Sequence, residues 1–288
     1  MQYLILSVLS SSILLIFFKL FDKYKVNIMQ AIAVNYIMAT VFSFFSIQYT
    51  QKIVIGESTW LIFATMLGGF FFLVFNLCSK STVLSGIGIT SIAMKLAVLF
   101  PITIGILFYK EPVSFQIVLG ILLGIFSLFL LTYSPANAIQ SSGKLNLLFP
   151  ILVWIGSGFC DSTVQLANKL FSTFSQNGYF TFITFMSASI VGMSYTFVYK
   201  KQRIDFKSLI GGLALGIPNY FSIYFLFKCL EHLKLDYQIE SGRILTINNI
   251  LIVITSLVIG LLAFREKLNK INVLGIIIAL MAIYLISF

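Results

Sequence analysis

The chain has 288 residues, of which 59% are hydrophobic and 10% are charged, and its formal net charge is +10 at pH 7. A soluble protein of this length carries about 25% charged residues, so the composition excludes an ordinary soluble domain. The positive charge does not indicate a nucleic-acid partner, because most of the lysines and arginines lie at the ends of apolar segments, where such residues set membrane topology.

Apolar segments of about 20 residues predict membrane-spanning helices. In chain order these segments lie at about 2–21, 28–47, 59–78, 84–108, 113–133, 147–168, 178–199, 207–229, 236–263 and 270–288. They are continuously apolar rather than alternating, which excludes a transmembrane barrel. The first segment has neither a basic start nor a small-residue cleavage site, so we expect it to remain as a helix. The sequence therefore predicts an all-α integral membrane protein with ten transmembrane helices.

A stretch near the middle of the chain returns near its end. Residues 108–131 read FYKEPVSFQIVLGILLGIFSLFLL, and residues 263–286 read AFREKLNKINVLGIIIALMAIYLI. A segment rich in Ser, Asn, Pro and Gly separates the two copies. We predict a first five-helix repeat over 1–137, a linker over 138–146 and a second five-helix repeat over 147–288. Since five is odd, the second copy enters the membrane upside down, which makes an inverted 5+5 repeat.

Basic residues concentrate in the loops after the odd-numbered spans, above all between Lys200 and Lys207. The positive-inside rule then puts these loops in the cytoplasm and both termini outside. We expect a multi-pass protein of the inner (cytoplasmic) membrane. The cysteines Cys78, Cys160 and Cys229 fall within or at the end of spans and are interpreted as packing residues.

These features resemble the EamA-like family of the drug/metabolite transporter superfamily. The resemblance rests on the five-plus-five division and on a Glu after the fourth span of each half, followed by a glycine-bearing fifth span: Glu111 with Gly120 and Gly124, and Glu266 with Gly275. Residues 67–91 and 215–242 are similar to the small-residue bend of that family. Pro101 lies closer to Glu111 than the corresponding proline of the family does. The resemblance implies export or import of small metabolites, often amino acids, through a central cavity without a cofactor.

Lys95 is the strongest candidate for a substrate contact. It lies near the middle of the fourth span, and Ser85, Gly88 and Ser91 share its face at helical spacing. A charge in the middle of a bilayer costs about 2.5–3.5 kcal/mol on insertion scales and is by default functional. Lys95 either holds a substrate carboxylate or phosphate, or forms a structural ion pair with Asp161 or Glu240.

Two further spans, the ninth and the sixth, carry polar faces. On the ninth, the aligned residues are Asp236, Glu240, Arg243, Thr246 and Asn249, with Asn248 beside them. Glu240 and Arg243 either pair with each other at i, i+3 or, in the case of Arg243, bind a carboxylate. On the sixth, Ser157, Asp161, Gln165 and Asn168 align. Asp161 either binds a substrate ammonium or a coupling proton, or neutralises Lys95.

On the eighth span, Pro218 is expected to kink the helix and to expose carbonyls beside Asn219 and Tyr220. Such an interruption either borders a transport site or is a static kink. Gly120 with Gly124, and Gly212 with Gly216, are interpreted as close-packing positions. Asn76 is a candidate for a helix–helix hydrogen bond, Trp154 and most phenylalanines are interpreted as lipid-facing or packing residues, and Glu111 and Glu266 are interpreted as topological anchors or interface ion pairs.

We therefore predict a secondary transporter, not an enzyme, that moves an amino-acid-like zwitterion or an organic anion by alternating access. The substrate site is expected at the midplane, lined by Lys95, Asp161, Gln165, Asn219, Tyr220, Glu240, Arg243 and Asn249. No metal site and no cofactor are expected, because His232 lacks partners at metal-ligand spacing and no phosphate loop is present. The expected partners are the substrate and the lipid bilayer, in a monomer or homodimer. The energy for transport is expected from a proton gradient, from exchange or from downhill flow, so protons are one of the candidate partners. The alternatives are a multidrug cation exporter, which the absence of an acidic residue in the first span disfavours, and a non-transporting partner subunit.

Overall fold

The structure is a computed structural model of the whole chain. It describes residues 2–46, 59–110, 113–132, 145–170, 178–203, 205–237 and 241–287.

The described part of the chain is built from helices joined by short connections. These are α1 (Gln2–Lys23), α2 (Ile28–Phe45), α3 (Thr59–Ser85), α4 (Ile87–Leu96), α5 (Leu99–Tyr109), α6 (Phe115–Thr132), α7 (Leu145–Leu170), α8 (Gly178–Met193), α9 (Phe206–Tyr237), α10 (Ser241–Ala263) and α11 (Lys270–Ser287). A single π-helical turn, Ser194–Tyr199, continues α8. The prediction of an all-α membrane protein is confirmed.

Six of the described helical stretches are long and apolar enough to cross a membrane: Gln2–Lys23, Ile28–Phe45, Trp60–Ser85, Ile87–Phe108, Gly178–Tyr199 and Phe206–Leu230. Four shorter apolar stretches cover Phe115–Leu131, Leu148–Val164, Ile247–Ala263 and Lys270–Ile286. Each predicted span coincides with one of these stretches. Their outward side chains are apolar as well, with Phe108, Phe115 and Leu262 more than two-thirds exposed, as expected of surfaces that face lipid rather than water.

The chain forms two compact units. The first unit contains Met1–Lys19, Leu77–Phe159 and Ser222–Phe288, and the second contains Leu20–Asn76 and Cys160–Phe221. Each unit draws residues from both predicted repeats, and α1, α3, α7 and α9 contribute to both units. The division of the sequence into repeats at 1–137 and 147–288 stays a prediction.

Within the units, the helices pack in a regular pattern. In the first unit, α6 packs along α11 and α4 packs against α10; in the second unit, α2 packs along α8. In terms of the predicted spans, these are the fifth with the tenth, the fourth with the ninth and the second with the seventh. Each pair therefore joins a span of one predicted repeat to the span five places later.

Glycines permit one of the closest helix contacts, between α2 and α9 in the second unit. A Cβ on Gly212 would lie 2.5 Å from the carbonyl oxygen of Ala31, and a Cβ on Gly216 would lie 2.8 Å from that of Asn35. The interpretation of Gly212 and Gly216 as close-packing positions is confirmed. Asn35 and its neighbour Tyr36 are fully buried at this contact.

The fourth predicted span is interrupted and the eighth is not. The fourth consists of α4 and α5, with Ala97 and Val98 between them, and Gly86 separates α4 from α3. By contrast, α9 runs without interruption through Pro218. The eighth span is therefore not discontinuous, because a proline deletes one backbone donor and packing against neighbouring helices can hold a membrane helix together across it. The expected kink at Pro218 stays a prediction.

Candidate substrate site

The short helix α4 is the centre of the candidate site in the first unit. It contains ten residues, most of them buried. Gly86 precedes it with a non-helical backbone, and Ala97 and Val98 follow it outside the helix with dihedral angles that stay in the right-handed helical region. Membrane helices that are broken in this way leave backbone N–H and C=O groups without intrahelical partners, and transporters use such ends for substrate and ion binding. The groups that satisfy the two ends of α4 therefore decide what the helix can offer to a ligand.

At the N-terminal end, Gly86 has a φ of +100° and a ψ of 161°, a conformation that is essentially restricted to glycine. The carboxylate of Glu266 accepts hydrogen bonds from the backbone N–H of Ile87, at 2.8 Å to Oε1 and 3.0 Å to Oε2. A negative charge at the start of a helix is stabilised by the free N–H groups and by the helix dipole. Glu266 thus serves as the N-terminal cap that α4 lacks in its own sequence.

Lys19 of α1 completes this arrangement. Its Nζ lies 3.3 Å from Glu266 Oε1 and also donates to the carbonyl oxygen of Val83 at the end of α3, at 3.3 Å. Both charged side chains are largely buried, with 20% of Lys19 and 13% of Glu266 exposed. The interpretation of Glu266 as an ion-pair residue agrees with this geometry, although its partner and its role as a cap were not foreseen. Glu111 lies outside the described residues.

At the C-terminal end, the break follows from Pro101. Proline has no N–H and its ring collides with the carbonyl four residues earlier, here that of Ala97. The indole Nε1–H of Trp154 donates to the carbonyl oxygen of Leu96 at 3.1 Å, and its ring packs edge-on against Phe100 with centroids 4.8 Å apart. Trp154 therefore satisfies one of the carbonyls at this end of α4. Sequence reasoning missed this hydrogen bond, since only the tertiary structure brings α7 to α4.

Lys95 lies in the last turn of α4 and is half-buried. This position helps to explain how the chain tolerates the charge, because the partial negative charge at a helix C-terminus stabilises a cation by about 0.3–1 kcal/mol. Ser91 lies one turn earlier on the same face and is 1% exposed. The expected alignment of Ser91 and Lys95 on one face of the fourth span is compatible with the continuous helix over these residues.

Several polar atoms on α4 and α10 are buried without a hydrogen-bond partner in the described structure. They include Ser91 Oγ on α4, and Asn248 Oδ1 and Ser256 Oγ on α10. Asn248 is 2% exposed, whereas the predicted contact residue Asn249 is half-buried. A buried polar group without a partner costs about 1–3 kcal/mol, so such groups usually meet water or a ligand. Two packed helices that both carry them are suited to bind a polar molecule.

The second unit contains a different polar cluster. Asn219 Nδ2 donates to Asn35 Oδ1 at 3.1 Å, and both residues are almost completely buried. The hydroxyl of Tyr220 hydrogen-bonds that of Ser46, and its ring stacks on Phe42 with centroids 5.5 Å apart. Asn219 and Tyr220 are therefore engaged with α2 and its C-terminal residue. Asn35 was not singled out from the sequence, although a lone asparagine in an apolar span is a detectable signal.

The structure describes the remaining predicted residues to different extents. Asp161, in the second unit, is exposed on α7. Glu240 lies outside the described residues, and so do the side chains of Gln165 and Arg243, although their backbones belong to α7 and α10. Within the first unit, Lys95 and Asn249 lie on the packed helices α4 and α10.

Asn76 forms a hydrogen bond within its own helix. Asn76 Nδ2 donates to the carbonyl oxygen of Phe72 at 2.7 Å, one turn back in its own helix. This bond forms because the adjacent carbonyl is within reach of the short side chain. The expected helix–helix hydrogen bond of Asn76 stays a prediction. Within the described residues, no group of three or more His, Cys, Asp or Glu side chains is arranged to hold a metal ion.

Comparison with known proteins agrees with this architecture. The EamA-like transporter family matches residues 1–133. A relative from Haemophilus influenzae strain Rd, itself described as an uncharacterized protein, is 31% identical over 294 aligned positions, which cover 99% of this chain and 97% of the relative. The match extends over the whole length of both proteins, so the two share one architecture. The chain is a multi-pass membrane protein that belongs to the EamA-like transporter family of the drug/metabolite transporter superfamily.

Proposed function

We propose that the protein is a secondary transporter of the inner (cytoplasmic) membrane that moves an amino-acid-like zwitterion or an organic anion by alternating access. The observation that carries this proposal is α4, a short buried helix with a cation in its last turn and an unpartnered hydroxyl, that of Ser91, one turn earlier. A secondary transporter needs such a polar site within an otherwise apolar bundle.

The chemistry of α4 favours an anionic group on the substrate. Lys95 supplies a point charge, and Ser91 can donate its O–H to an oxygen of a carboxylate. Asn248 has a buried side-chain oxygen without a described partner, which can accept a hydrogen bond from an ammonium or hydroxyl group. A molecule with both a carboxylate and a donor would satisfy these groups, which is the pattern of an amino acid.

Asp161 is the candidate for binding a positive charge, on the substrate or as a proton. A carboxylate that is exposed within an apolar span must meet water or a partner, because exposure to lipid would be costly. We propose that Asp161 interacts with the substrate ammonium or carries a coupling proton. Gln165, Asn219, Tyr220, Glu240, Arg243 and Asn249 are further candidates for substrate contact.

Two features support an inverted 5+5 repeat as the basis of alternating access. Packing joins the second span to the seventh, the fourth to the ninth and the fifth to the tenth. The basic residues before the two repeated glutamates, Lys110 and Arg265, also adopt the same left-handed backbone, with φ of 52° and 51°. Equivalent backbone conformation at equivalent positions is expected of two copies of one unit.

The test is a thermal-shift screen of the purified full-length protein in neutral detergent. The ligands are amino acids, organic acids, nucleosides and quaternary amines, and the proteins are the wild type and Lys95→Met. We expect an amino acid or organic acid to raise the unfolding temperature of the wild type, because a ligand at 100 times its Kd stabilises by about 2.7 kcal/mol. The shift should be lost in Lys95→Met.

Controls separate binding from folding. Lys267→Met removes an exposed lysine from the α10–α11 connection and should keep the ligand shift. Ser91→Ala removes a buried hydroxyl without a described partner, so its unliganded stability should be unchanged or higher while its ligand affinity falls. Stabilisation by hydrophobic cations that persists in Lys95→Met would contradict the proposed substrate class.

Transport itself is measured with proteoliposomes loaded with the stabilising ligand. Uptake of radiolabelled ligand with and without an imposed pH gradient distinguishes proton coupling from exchange or downhill flow. If transport is proton-coupled, Asp161→Asn should retain exchange of bound ligand and lose its response to the gradient. Loss of both activities with intact ligand binding would contradict a coupling role for Asp161.

A further inference from the structure

The π-helical turn at the end of α8 lies between two open apolar grooves in the second unit. One groove, of about 690 Å³, is lined by Met193, Ser194, Phe197, Val198, Gln202 and Arg203. The other, of about 740 Å³, shares Ser194 and Val198 and continues along Ile190, Tyr195, Tyr199 and Lys201. Both grooves are shallow and open, and each includes one basic residue.

The basic residues lie just beyond the helical end of these grooves. Lys200 caps the π-helical turn, with its N–H donating to the carbonyl oxygen of Tyr195 at 3.0 Å, and Lys201 follows with a φ of +48°. Lys200, Lys201 and Arg203 are all exposed, and no carboxylate within the described chain forms an ion pair with them. A cluster of exposed bases at the end of a span is suited to an anionic group in the membrane surface.

Two stacked tyrosine rings lie beside these bases. Tyr195 and Tyr199 stack with centroids 5.4 Å apart, and Lys200 Nζ lies 5.8 Å and 5.6 Å from the two centroids. Tyrosines with one apolar and one polar end are typical of the membrane–water interface. The adjoining Val198 is 73% exposed, as expected of a side chain that faces acyl chains.

The backbone that carries the bases is held against the start of α2. The side chain of Gln30 donates to the carbonyl oxygen of Arg203 at 2.8 Å and accepts from the N–H of Asp205 at 3.0 Å. Asn27 donates to the side chain of Gln202 at 3.1 Å. These bonds fix the segment on both sides of Arg203, so the bases are presented from an ordered support rather than from a free loop.

The nearby carboxylate does not neutralise the cluster. Asp205 caps the start of α9 by accepting from the hydroxyl of Ser208 at 2.6 Å and from its N–H at 3.2 Å. The side-chain hydrogen bond from Ser208 lowers the pKa of Asp205, so this group is ionised at neutral pH. Its single negative charge is outnumbered by Lys200, Lys201, Arg203 and Lys207 in the same segment.

We propose that this surface binds one anionic diacyl phospholipid, with its phosphate between Lys201 and Arg203 and one acyl chain in each groove. The apolar walls distinguish a lipid from a free phosphate, and the bases distinguish an anionic from a zwitterionic headgroup. The proposal is independent of the transported substrate, because none of its residues belongs to the candidate substrate site. It assigns a lipid partner to a segment that has no role in the proposed transport function.

The experiment measures retention of defined lipids by the full-length protein in neutral detergent, using native mass spectrometry. Phosphatidylglycerol and phosphatidylcholine with identical acyl chains are titrated in parallel, and inorganic phosphate forms a third arm. We expect one phosphatidylglycerol to be retained per protein, with phosphatidylcholine retained at least tenfold less. Inorganic phosphate at millimolar concentration should neither be retained nor displace the lipid.

Two variants separate the headgroup from the grooves. Lys201→Gln/Arg203→Gln should lower phosphatidylglycerol affinity about 20-fold, given the usual contribution of a basic residue near an anionic surface. Ser194→Phe leaves every charge in place but fills the shared wall of both grooves, and it should lower the affinity as well. The matched control is Lys267→Gln/Lys270→Gln, which removes two exposed bases from the α10–α11 connection and should bind like the wild type.

Unfolding temperatures without added lipid show that each variant is folded before its binding is compared. Equal retention of both lipids, or displacement by inorganic phosphate, would overturn the proposal. Wild-type affinity in Ser194→Phe would overturn it too, because a surface of charges without grooves would then account for the binding.

Discussion

The fourth and eighth predicted spans both contain a proline, yet only the fourth is broken. Around Pro101 the helix stops at Leu96 and resumes at Leu99, whereas α9 continues through Pro218 to Tyr237. Gly86, which precedes α4, is the connection between the third and fourth spans rather than a break inside a span. A proline is therefore not sufficient to interrupt a span in this protein.

The difference lies in the groups that receive the freed backbone atoms. At the N-terminal end of α4, the carboxylate of Glu266 accepts a hydrogen bond from the backbone N–H of Ile87. At the C-terminal end, the indole N–H of Trp154 donates to the carbonyl oxygen of Leu96. Along α9, the side chain beside the proline, Asn219, is already bonded to Asn35, and Gly216 brings the helix directly against α2. A membrane helix breaks where outside groups satisfy its ends, because an unsatisfied backbone group in hydrocarbon costs several kcal/mol.

The largest expected effect comes from Gly86→Ala. Alanine at a φ of +100° is strained, and its Cβ would lie 2.8 Å from Glu266 Oε2. We expect a loss of about 2–3 kcal/mol, which lowers the unfolding temperature in detergent by about 5–10 °C. The control is Gly69→Ala, whose Cβ meets nothing closer than Val191 Cγ2 at 4.0 Å, and this variant should be as stable as the wild type or slightly more stable. Equal stability of Gly86→Ala and Gly69→Ala would show that the break at Gly86 is unimportant.

Glu266→Ala removes the cap and the ion pair together, and we expect it to cost about 2 kcal/mol because hydrogen bonds to charged groups are among the strongest. Glu266→Gln keeps an acceptor for the Ile87 N–H but removes the charge that pairs with the largely buried Lys19, so it should also destabilise the protein, by less than Glu266→Ala does. Thermal unfolding of both variants at low and high salt measures the two contributions. If the glutamine variant is as unstable as the alanine variant, the charge rather than the capping bond holds this end of α4.

Trp154→Phe tests the other end of α4. Phenylalanine keeps the ring beside Phe100 but cannot donate to Leu96, and interhelical hydrogen bonds in membranes contribute about 0.6 kcal/mol on average. We expect a fall of about 2 °C in unfolding temperature, together with weaker binding of the stabilising ligand at Lys95. A variant with unchanged ligand affinity would indicate that Trp154 is a packing residue only, as its sequence context suggested.

The smallest effect is expected from Pro218→Ala. Because α9 is already continuous, alanine has no break to repair, and the unfolding free energy should change by less than about 0.5 kcal/mol. Ligand affinity should also be unchanged. A large fall in either quantity would mean that Pro218 creates a distortion that the helix needs, and the contrast between the two spans would then be one of degree.

Part of the candidate site could be predicted from the sequence, because a charged or polar group in an apolar segment costs free energy wherever the chain folds. A lysine such as Lys95 in an apolar segment is expensive wherever the chain folds, so its presence alone marks it. The polar residues Asn219 and Ser91 were visible for the same reason. Trp154 and Lys19 were not, since an aromatic residue in a span and a lysine at a span end are common and carry no signal until the partner is known.

The sequence by itself determined the membrane class, the positions of the spans and the membership of a transporter family. These follow from local hydrophobicity and short repeated motifs, which do not depend on how distant segments meet. Only the tertiary structure decided which helices break. Whether Gly86, Pro101 or Pro218 interrupts a helix depends on a carboxylate, an indole or a neighbouring helix that lies far away in the chain, and backbone hydrogen bonds in an apolar medium persist unless such a partner replaces them.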